Sequence, residues 1–183
     1  MRHLPNLICL ARIALIWPIA IALTGENYDL ALLLFSAAAA SDGVDGYLAK
    51  RFGWTSDLGK ILDPIADKAL LITVFVVGTH LGLVPWWLTL AAVTRDVSIV
   101  LGVLALRIWV GPLRGHPSIT SKINTVLQLG YLLGVMTHAA VDVPSRGLLT
   151  TLAVVTVVTT LLSGVNYARD FAHQAWGVTP KTD

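Results

Sequence analysis

Six apolar stretches of about 20 residues, divided by short clusters of turn-forming residues, leave this chain few folds to choose from. They run over residues 6–24, 29–50, 59–81, 84–108, 119–141 and 146–169. A helix needs about 20 largely apolar residues to cross the hydrocarbon of a bilayer. The separators are residues that break helices: Gly25-Glu26-Asn27, Gly53-Trp54-Thr55-Ser56, Gly82-Leu83-Val84-Pro85, Gly111-Pro112 through His116-Pro117, and Asp142-Val143-Pro144-Ser145. Charged residues make up only 13% of the 183 positions and the mean hydropathy is +0.73, whereas a soluble domain carries about a quarter charged residues. The expected fold class is therefore all-α, a polytopic membrane protein of six transmembrane helices, with residues 1–183 forming one domain. Apart from Ala37–Ala40 the chain holds no low-complexity tract, and it holds no internal repeat.

Lysine and arginine placement orients the bundle. With a cytoplasmic N-terminus, the inner loops and flanks hold Arg2, Lys50, Arg51, Lys60, Arg107, Arg114, Lys122, Arg169 and Lys181, and the outer ones hold Arg146. That bias obeys the positive-inside rule and puts both termini in the cytoplasm, with Trp86 and Trp87 in the outer aromatic belt. Arg12 interrupts the first apolar run, and no small-residue cleavage site follows it cleanly, so this run is expected to be a first membrane helix rather than a secretory signal. A net charge of +2 gives no support to a nucleic-acid partner, and the single cysteine, Cys9, excludes an internal disulfide or a cysteine metal cage.

Against this apolar background stand four aspartates, Asp42, Asp45, Asp63 and Asp67, spanning 26 positions. Ionisable groups at membrane depth are expensive and mark function. Spacings of three and of four put each pair on one helix face, and the short stretch between them makes the end of the second helix and the start of the third antiparallel neighbours. The carboxylates can thus converge near the cytoplasmic interface, where they would repel one another without cations. Hard oxygen donors with no His or Cys favour magnesium or manganese over zinc. Gly43, Gly46, Ala49 and Gly59 remove bulk beside them, and Pro64 cannot donate to the Lys60 carbonyl, which leaves an acceptor beside Asp63. The alternative is a set of solvated acids at helix ends with glycines for packing; four acids in register with interleaved glycines favour the cation site.

The segment Asp42-x-x-Asp45-Gly46-x-x-Ala49-Lys50, eight residues, Gly59-x-x-x-Asp63-x-x-x-Asp67 resembles the motif of the CDP-alcohol phosphatidyltransferases, D-x-x-D-G-x-x-A-R, eight residues, G-x-x-x-D-x-x-x-D. Seven of the eight fixed positions match. The departure is Lys50, which keeps the charge of the family's arginine but loses its bidentate fork; Arg51 stands next to it. Pro5-Asn6-Leu7 with Arg12 resembles the family's N-terminal segment. Leu83-Val84-Pro85, Thr94-Arg95-Asp96-Val97, Ser121-Lys122-Ile123-Asn124-Thr125 and Gln128-Leu129 look most like the cardiolipin synthase branch, the phosphatidylglycerophosphate synthases being the neighbouring one.

The resemblance implies transfer of a phosphatidyl group from CDP-diacylglycerol to an alcohol, with release of CMP. It implies two metal ions, magnesium or manganese, held by Asp42, Asp45, Asp63 and Asp67, which would neutralise the pyrophosphate. It makes Asp67 the general base for the acceptor hydroxyl, and makes Asp42, Gly46, Ala49, Lys50 and Gly59 the CDP-binding set. The expected acceptor is phosphatidylglycerol, with glycerol 3-phosphate as the alternative. The resemblance also implies a homodimer, and a multi-pass protein of the bacterial cytoplasmic membrane whose active site faces the cytoplasm.

Arg95 and Asp96 lie well inside the fourth stretch, where an unpaired charge is expensive. Either they form an intramembrane ion pair, or Arg95 faces the cavity and binds the acceptor's phosphate. Lys122 is a second acceptor candidate, or else a positive-inside flank. Arg107 and Arg114 read as topology charges or contacts to anionic headgroups. The five histidines are scattered, and Asn166 and Tyr167 read as interface anchors. An intramembrane prenyltransferase would be a longer bundle with acidic motifs far apart in sequence. A small cation transporter would spread polar groups through the membrane depth, whereas here the acids gather at one interface.

Overall fold

The computed structural model describes residues 4–52, 59–109 and 119–175, and side chains within residues 9–41, 65–102 and 119–169. Among the described residues it contains six helices and no strand: α1 (Leu4–Thr24), α2 (Tyr28–Phe52), α3 (Gly59–His80), α4 (Trp86–Trp109), α5 (Ile119–Val141) and α6 (Arg146–Ala175). The five that correspond to the first five apolar stretches begin and end within two residues of the sequence expectation. Helix α6 continues six residues past it, from 169 to 175, because the polar tail Arg169-Asp170 contains neither glycine nor proline to stop a helix.

The turns use the chemistry of the separators. Helix α1 ends where Glu26 adopts a left-handed conformation (φ 56°), and Asn27 caps α2 by accepting from the Leu30 amide at 3.3 Å. Helix α3 ends in a Schellman-type closure: Gly82 has φ 72°, and the Leu83 amide reaches back to the Gly78 carbonyl at 2.9 Å. A side chain at position 82 would be strained, which is why a glycine serves there. Ser145 caps α6 through the Leu148 amide at 3.4 Å.

The helices pack as a ring. Helix α1 lies against both α2 and α3, α2 continues to α5, α5 to α6, α6 to α4 and α4 back to α3, while an α3–α5 contact crosses the middle. Ile19, Leu23, Phe35, Phe75, Leu88, Leu132 and Met136 fill the centre, and Phe75 stacks on Tyr131 with centroids 6.4 Å apart.

The distribution of polarity is inverted relative to a soluble protein. Trp17, Leu33, Leu90, Val126, Leu161 and Val165 are all exposed, while Arg12, Arg95, Asp96, Asn124, Gln128, Thr156, Thr160 and Ser163 are buried. Water-soluble monomers do not present contiguous apolar surface of this extent. By length and composition, Arg146–Arg169 is long and apolar enough to cross a membrane, and Cys9–Thr24 and Tyr28–Ser41 are shorter apolar stretches.

Candidate active site

Both aspartate pairs lie on regular helix, in two elements consecutive along the chain. Positions 42 and 45 fall in the C-terminal half of α2, and positions 63 and 67 in the first turns of α3, so the helical spacing expected from sequence holds for each pair. The side chains of Asp42, Asp45, Gly46, Ala49, Lys50, Arg51, Gly59 and Asp63 lie outside the described residues, as do those of Arg107, Arg114 and His116.

Asp67 is described, and its surroundings are specific. Its side chain is 31% exposed, and its Oδ1 accepts from Nη1 of Arg12, which α1 delivers from fully inside the bundle. A charged donor on one carboxylate oxygen fixes the group's orientation, and hydrogen bonds of this kind are the strong ones. In the sequence Arg12 reads as an interruption of an apolar run and as part of the N-terminal family resemblance, with no partner assigned to it. The signal that could have identified its role is energetic: an arginine in the middle of an apolar, buried helix calls for an acid nearby, and Asp67 is one such acid.

One residue further along α3, Lys68 points the other way, toward α4. Its Nζ lies 2.9 Å from Oδ1 of Asp96, and Nη1 of Arg95 lies 2.6 Å from the same oxygen. Nη2 of Arg95 donates to Oγ of Ser121 on α5 and to Oγ of Ser163 on α6, each at 2.6 Å. This cluster ties four helices together at one level. The ion pair between Arg95 and Asp96, one of the two sequence readings, is therefore present. Sequence reasoning did not find Lys68, Ser121 or Ser163 as its partners, because they come together only through the packing of α3, α5 and α6.

Asp67 and Lys68 are adjacent in sequence yet face different neighbours, so α3 links the Arg12 pair to the Arg95 cluster. Lys122, beside Ser121, is exposed at the start of α5. Next on α5, the Oδ1 of fully buried Asn124 accepts from Thr159 at 3.0 Å and from Thr160 at 2.8 Å. Tyr167, expected as an interface anchor, donates from its hydroxyl to the Ile99 carbonyl at 3.1 Å. It lies so close to α4 that a Cβ on Gly102 would come within 2.5 Å of its oxygen. His138 sits 3.4 Å from Asp142 at the opposite end of the bundle.

The donor chemistry suits a hard cation. All four acids of the motif offer carboxylate oxygens, and the one whose side chain is described is held in a fixed orientation by a buried guanidinium.

The sequence profile of the CDP-alcohol phosphatidyltransferases matches residues 2–162, a span that includes Arg12, the four aspartates, Lys68 and the Arg95–Asp96 pair. Among characterised proteins, the chain is similar to a cardiolipin synthase (CMP-forming) of Rattus norvegicus, 31% identical over 142 residues that cover 69% of this chain and 47% of the relative. It is 32% identical over 133 residues to a putative cardiolipin synthase of Mycobacterium tuberculosis, covering 71% of this chain and 61% of the relative. It is also 34% identical over 109 residues to a CDP-diacylglycerol–glycerol-3-phosphate 3-phosphatidyltransferase of Yersinia enterocolitica, covering 57% and 58%. The chain spans about half the length of the mammalian relatives it matches. With a profile match over most of its length and the aspartates in register on two consecutive helices, the chain belongs to the CDP-alcohol phosphatidyltransferase family.

Proposed function

We propose that this protein is a membrane-embedded transferase that moves the phosphatidyl group of CDP-diacylglycerol to an alcohol and releases CMP. The observation that carries the reading is the aspartate pattern of the family set in helical register on α2 and α3, with Asp67 held by the buried Arg12. The apolar exterior around a charged interior supports residence in a bilayer. The lysine and arginine bias supports six spans with both termini and the aspartate end in the cytoplasm. The Mycobacterium and Yersinia relatives are bacterial, in keeping with a bacterial cytoplasmic membrane, and the protein would act there as a homodimer.

In this reading Asp42, Asp45, Asp63 and Asp67 would hold two magnesium or manganese ions. When bound, such ions neutralise the pyrophosphate and stabilise the departing phosphate. Asp67 takes the proton of the acceptor hydroxyl as that oxygen bonds to the phosphorus bearing the diacylglycerol. The bridging P–O bond breaks, and CMP leaves with the electron pair. Arg12 keeps Asp67 aimed through this step. Gly46, Ala49 and Gly59 leave room for the cytidine, Asp42 and Lys50 (with Arg51 beside it) bind the nucleotide, and Arg95 and Lys122 receive the acceptor's phosphate.

The acceptor we favour is phosphatidylglycerol, on the similarity to cardiolipin synthases over about 70% of the chain. The similarity to the Yersinia enzyme supports glycerol 3-phosphate as the second reading. Membranes supplied with labelled CDP-diacylglycerol and one acceptor at a time distinguish them. CMP is expected with phosphatidylglycerol, only when magnesium or manganese is present, and not after chelation. No CMP with any acceptor would remove the transferase reading.

A further inference from the structure

A polar cavity lies at the end of the bundle opposite the aspartates, where the α3–α4 turn meets α5 and α6. Its volume is 290 Å3, at the lower end of the range for small-ligand sites, roughly 300–1,000 Å3. Trp87 of α4, Tyr131 and His138 of α5, and Arg146 and Thr150 of α6 give it its polar groups. On α6 the lining runs from Arg146 to Ala153, seven residues, or about 10 Å at 1.5 Å per residue, so the cavity reaches from the helix end into the bundle. No carboxylate lines it. Glu26, Asp29 and Asp142, the described acids of this end, are absent from its wall, and the Asp142 side chain is 93% exposed.

The wall offers donors that nothing in the protein uses. Tyr131 is 2% exposed and its ring is fixed by the stack on Phe75, yet its hydroxyl has no hydrogen-bond partner among the described residues. The Trp87 indole N–H likewise finds no acceptor there, and the Arg146 guanidinium meets no acid. Indole and guanidinium groups only donate, and buried donors are normally satisfied. Nδ1 of His138 is buried without a hydrogen bond; Oδ1 of Asp142 stands 3.4 Å away, longer than an ordinary N–H···O bond. Thr150 has already donated, to the Arg146 carbonyl at 2.9 Å, and serves only as wall. Arg146 is the one lysine or arginine among the described residues at this end. The first turns of α4 and α6 also border the cavity, and the free amides of helix N-termini favour anions. The last turns of α3 and α5 have carbonyls taken up by the Leu83 and Asp142 amides, each at 2.9 Å.

We infer that this cavity binds a phosphate oxyanion, held by the Arg146 guanidinium and the Tyr131 hydroxyl, and that the phosphate belongs to the headgroup of an anionic phospholipid in the leaflet farther from the aspartates. An acceptor-only group completes a wall of unused donors, and its charge answers that of Arg146. The lipid source follows from the surroundings: Trp86 and Leu148, next in sequence to lining residues, are 68% and 50% exposed, so the mouth borders apolar surface that suits acyl chains. The site lies at the far end of the bundle from Asp67 and takes no part in phosphatidyl transfer.

The test is native mass spectrometry of the full chain in a mild detergent, titrated with dihexanoyl phosphatidylglycerol, dihexanoyl phosphatidylcholine or inorganic phosphate. Phosphatidylglycerol should bind more tightly than phosphatidylcholine. Arg146→Gln should weaken that binding by about tenfold or more, the effect of losing one charged hydrogen bond. Tyr131→Phe, which keeps the ring and its stack on Phe75, should weaken it severalfold, and Arg146→Lys, which keeps the charge, should restore part of the loss. A phosphatidylglycerol bound near the aspartates would persist in all three variants, so the Arg146-dependent fraction reports this cavity. Unchanged affinity in both Arg146→Gln and Tyr131→Phe, or phosphatidylcholine bound as tightly as phosphatidylglycerol, would overturn the inference. Inorganic phosphate that binds the parent but not Arg146→Gln, with no gain from the lipid, would keep the oxyanion site and overturn its lipid source. CMP release should be unchanged in Arg146→Gln and Tyr131→Phe. Because the assay reads binding and not turnover, its failure leaves phosphatidyl transfer standing, and failure of that reading leaves the cavity standing.

Discussion

Replacing Asp96 with asparagine removes the one anion of the cluster that joins α3, α4, α5 and α6. The Asp96 side chain is 3% exposed, and its Oδ1 receives both Lys68 at 2.9 Å and Arg95 at 2.6 Å. Each pairing is worth about 4 kcal/mol of gross Coulomb attraction at an effective dielectric of about 20. Much of that is offset by the desolvation of the carboxylate that the substitution relieves. Removing one partner of a buried pair costs roughly 3–5 kcal/mol net. Lys68 is 19% exposed and can withdraw toward the surface, and Arg95 keeps its two serine acceptors, so the lower end applies, about 3 kcal/mol. For a chain of this size that corresponds to a fall in Tm of roughly 6–12 °C, measured by thermal unfolding of the purified protein in a mild detergent. A double-mutant cycle with Lys68→Met isolates the pair. Once Lys68 is gone, Asp96→Asn should lose less, with a coupling of about 1–2 kcal/mol. A single variant melting within about 2 °C of the parent, or two effects that simply add, would refute the view that this cluster is a coupled electrostatic unit.

Arg12→Met should lower kcat for CMP release by about 10–100-fold, the usual effect of losing a group that orients a metal ligand, the role proposed for Asp67, while CDP-diacylglycerol binding persists; an unchanged kcat would detach Arg12 from the chemistry. Asp67→Asn should abolish turnover yet largely spare donor binding, measured by labelled CDP-diacylglycerol retention, and full activity would remove the base assignment. Gly102→Ala would bring a Cβ to 2.5 Å from the Tyr167 oxygen and should destabilise by about 1–3 kcal/mol through overpacking. Combining it with Tyr167→Leu should recover most of that loss in the melting temperature, and strict additivity of the two would show that the contact is not the cause.

Much of the fold could be read directly. Apolar runs of helical length separated by Gly25-Glu26-Asn27, Gly82 and Pro144-Ser145 give α1 to α5 to within two residues and the start of α6, because those separators are the caps and left-handed turns that end helices. The aspartate pairs were equally legible, since i,i+3 and i,i+4 spacings have a fixed meaning on a helix and both pairs fall on helix. Arg95 and Asp96 are neighbours in sequence, so their pairing was open to reading. The roles of Arg12, Lys68, Ser121 and Ser163 were not. Arg12 meets Asp67 across 55 residues and Ser163 meets Arg95 across 68, separations over which residue spacing carries no geometric information.

What the sequence determined by itself was therefore local: helix positions, their ends, and the spacing that puts each pair of acids on one helix face. Those depend on backbone periodicity and on the cost of charge in an apolar chain, both properties of short segments. The tertiary structure decided which charges meet. By packing α1 against α3 and drawing α3, α5 and α6 around Arg95 and Asp96 of α4, it gave Asp67 its arginine and Asp96 its two cations. It also gathered Trp87, Tyr131 and Arg146 around one cavity, because long-range partners are chosen by the order of helices around the ring rather than by their order along the chain.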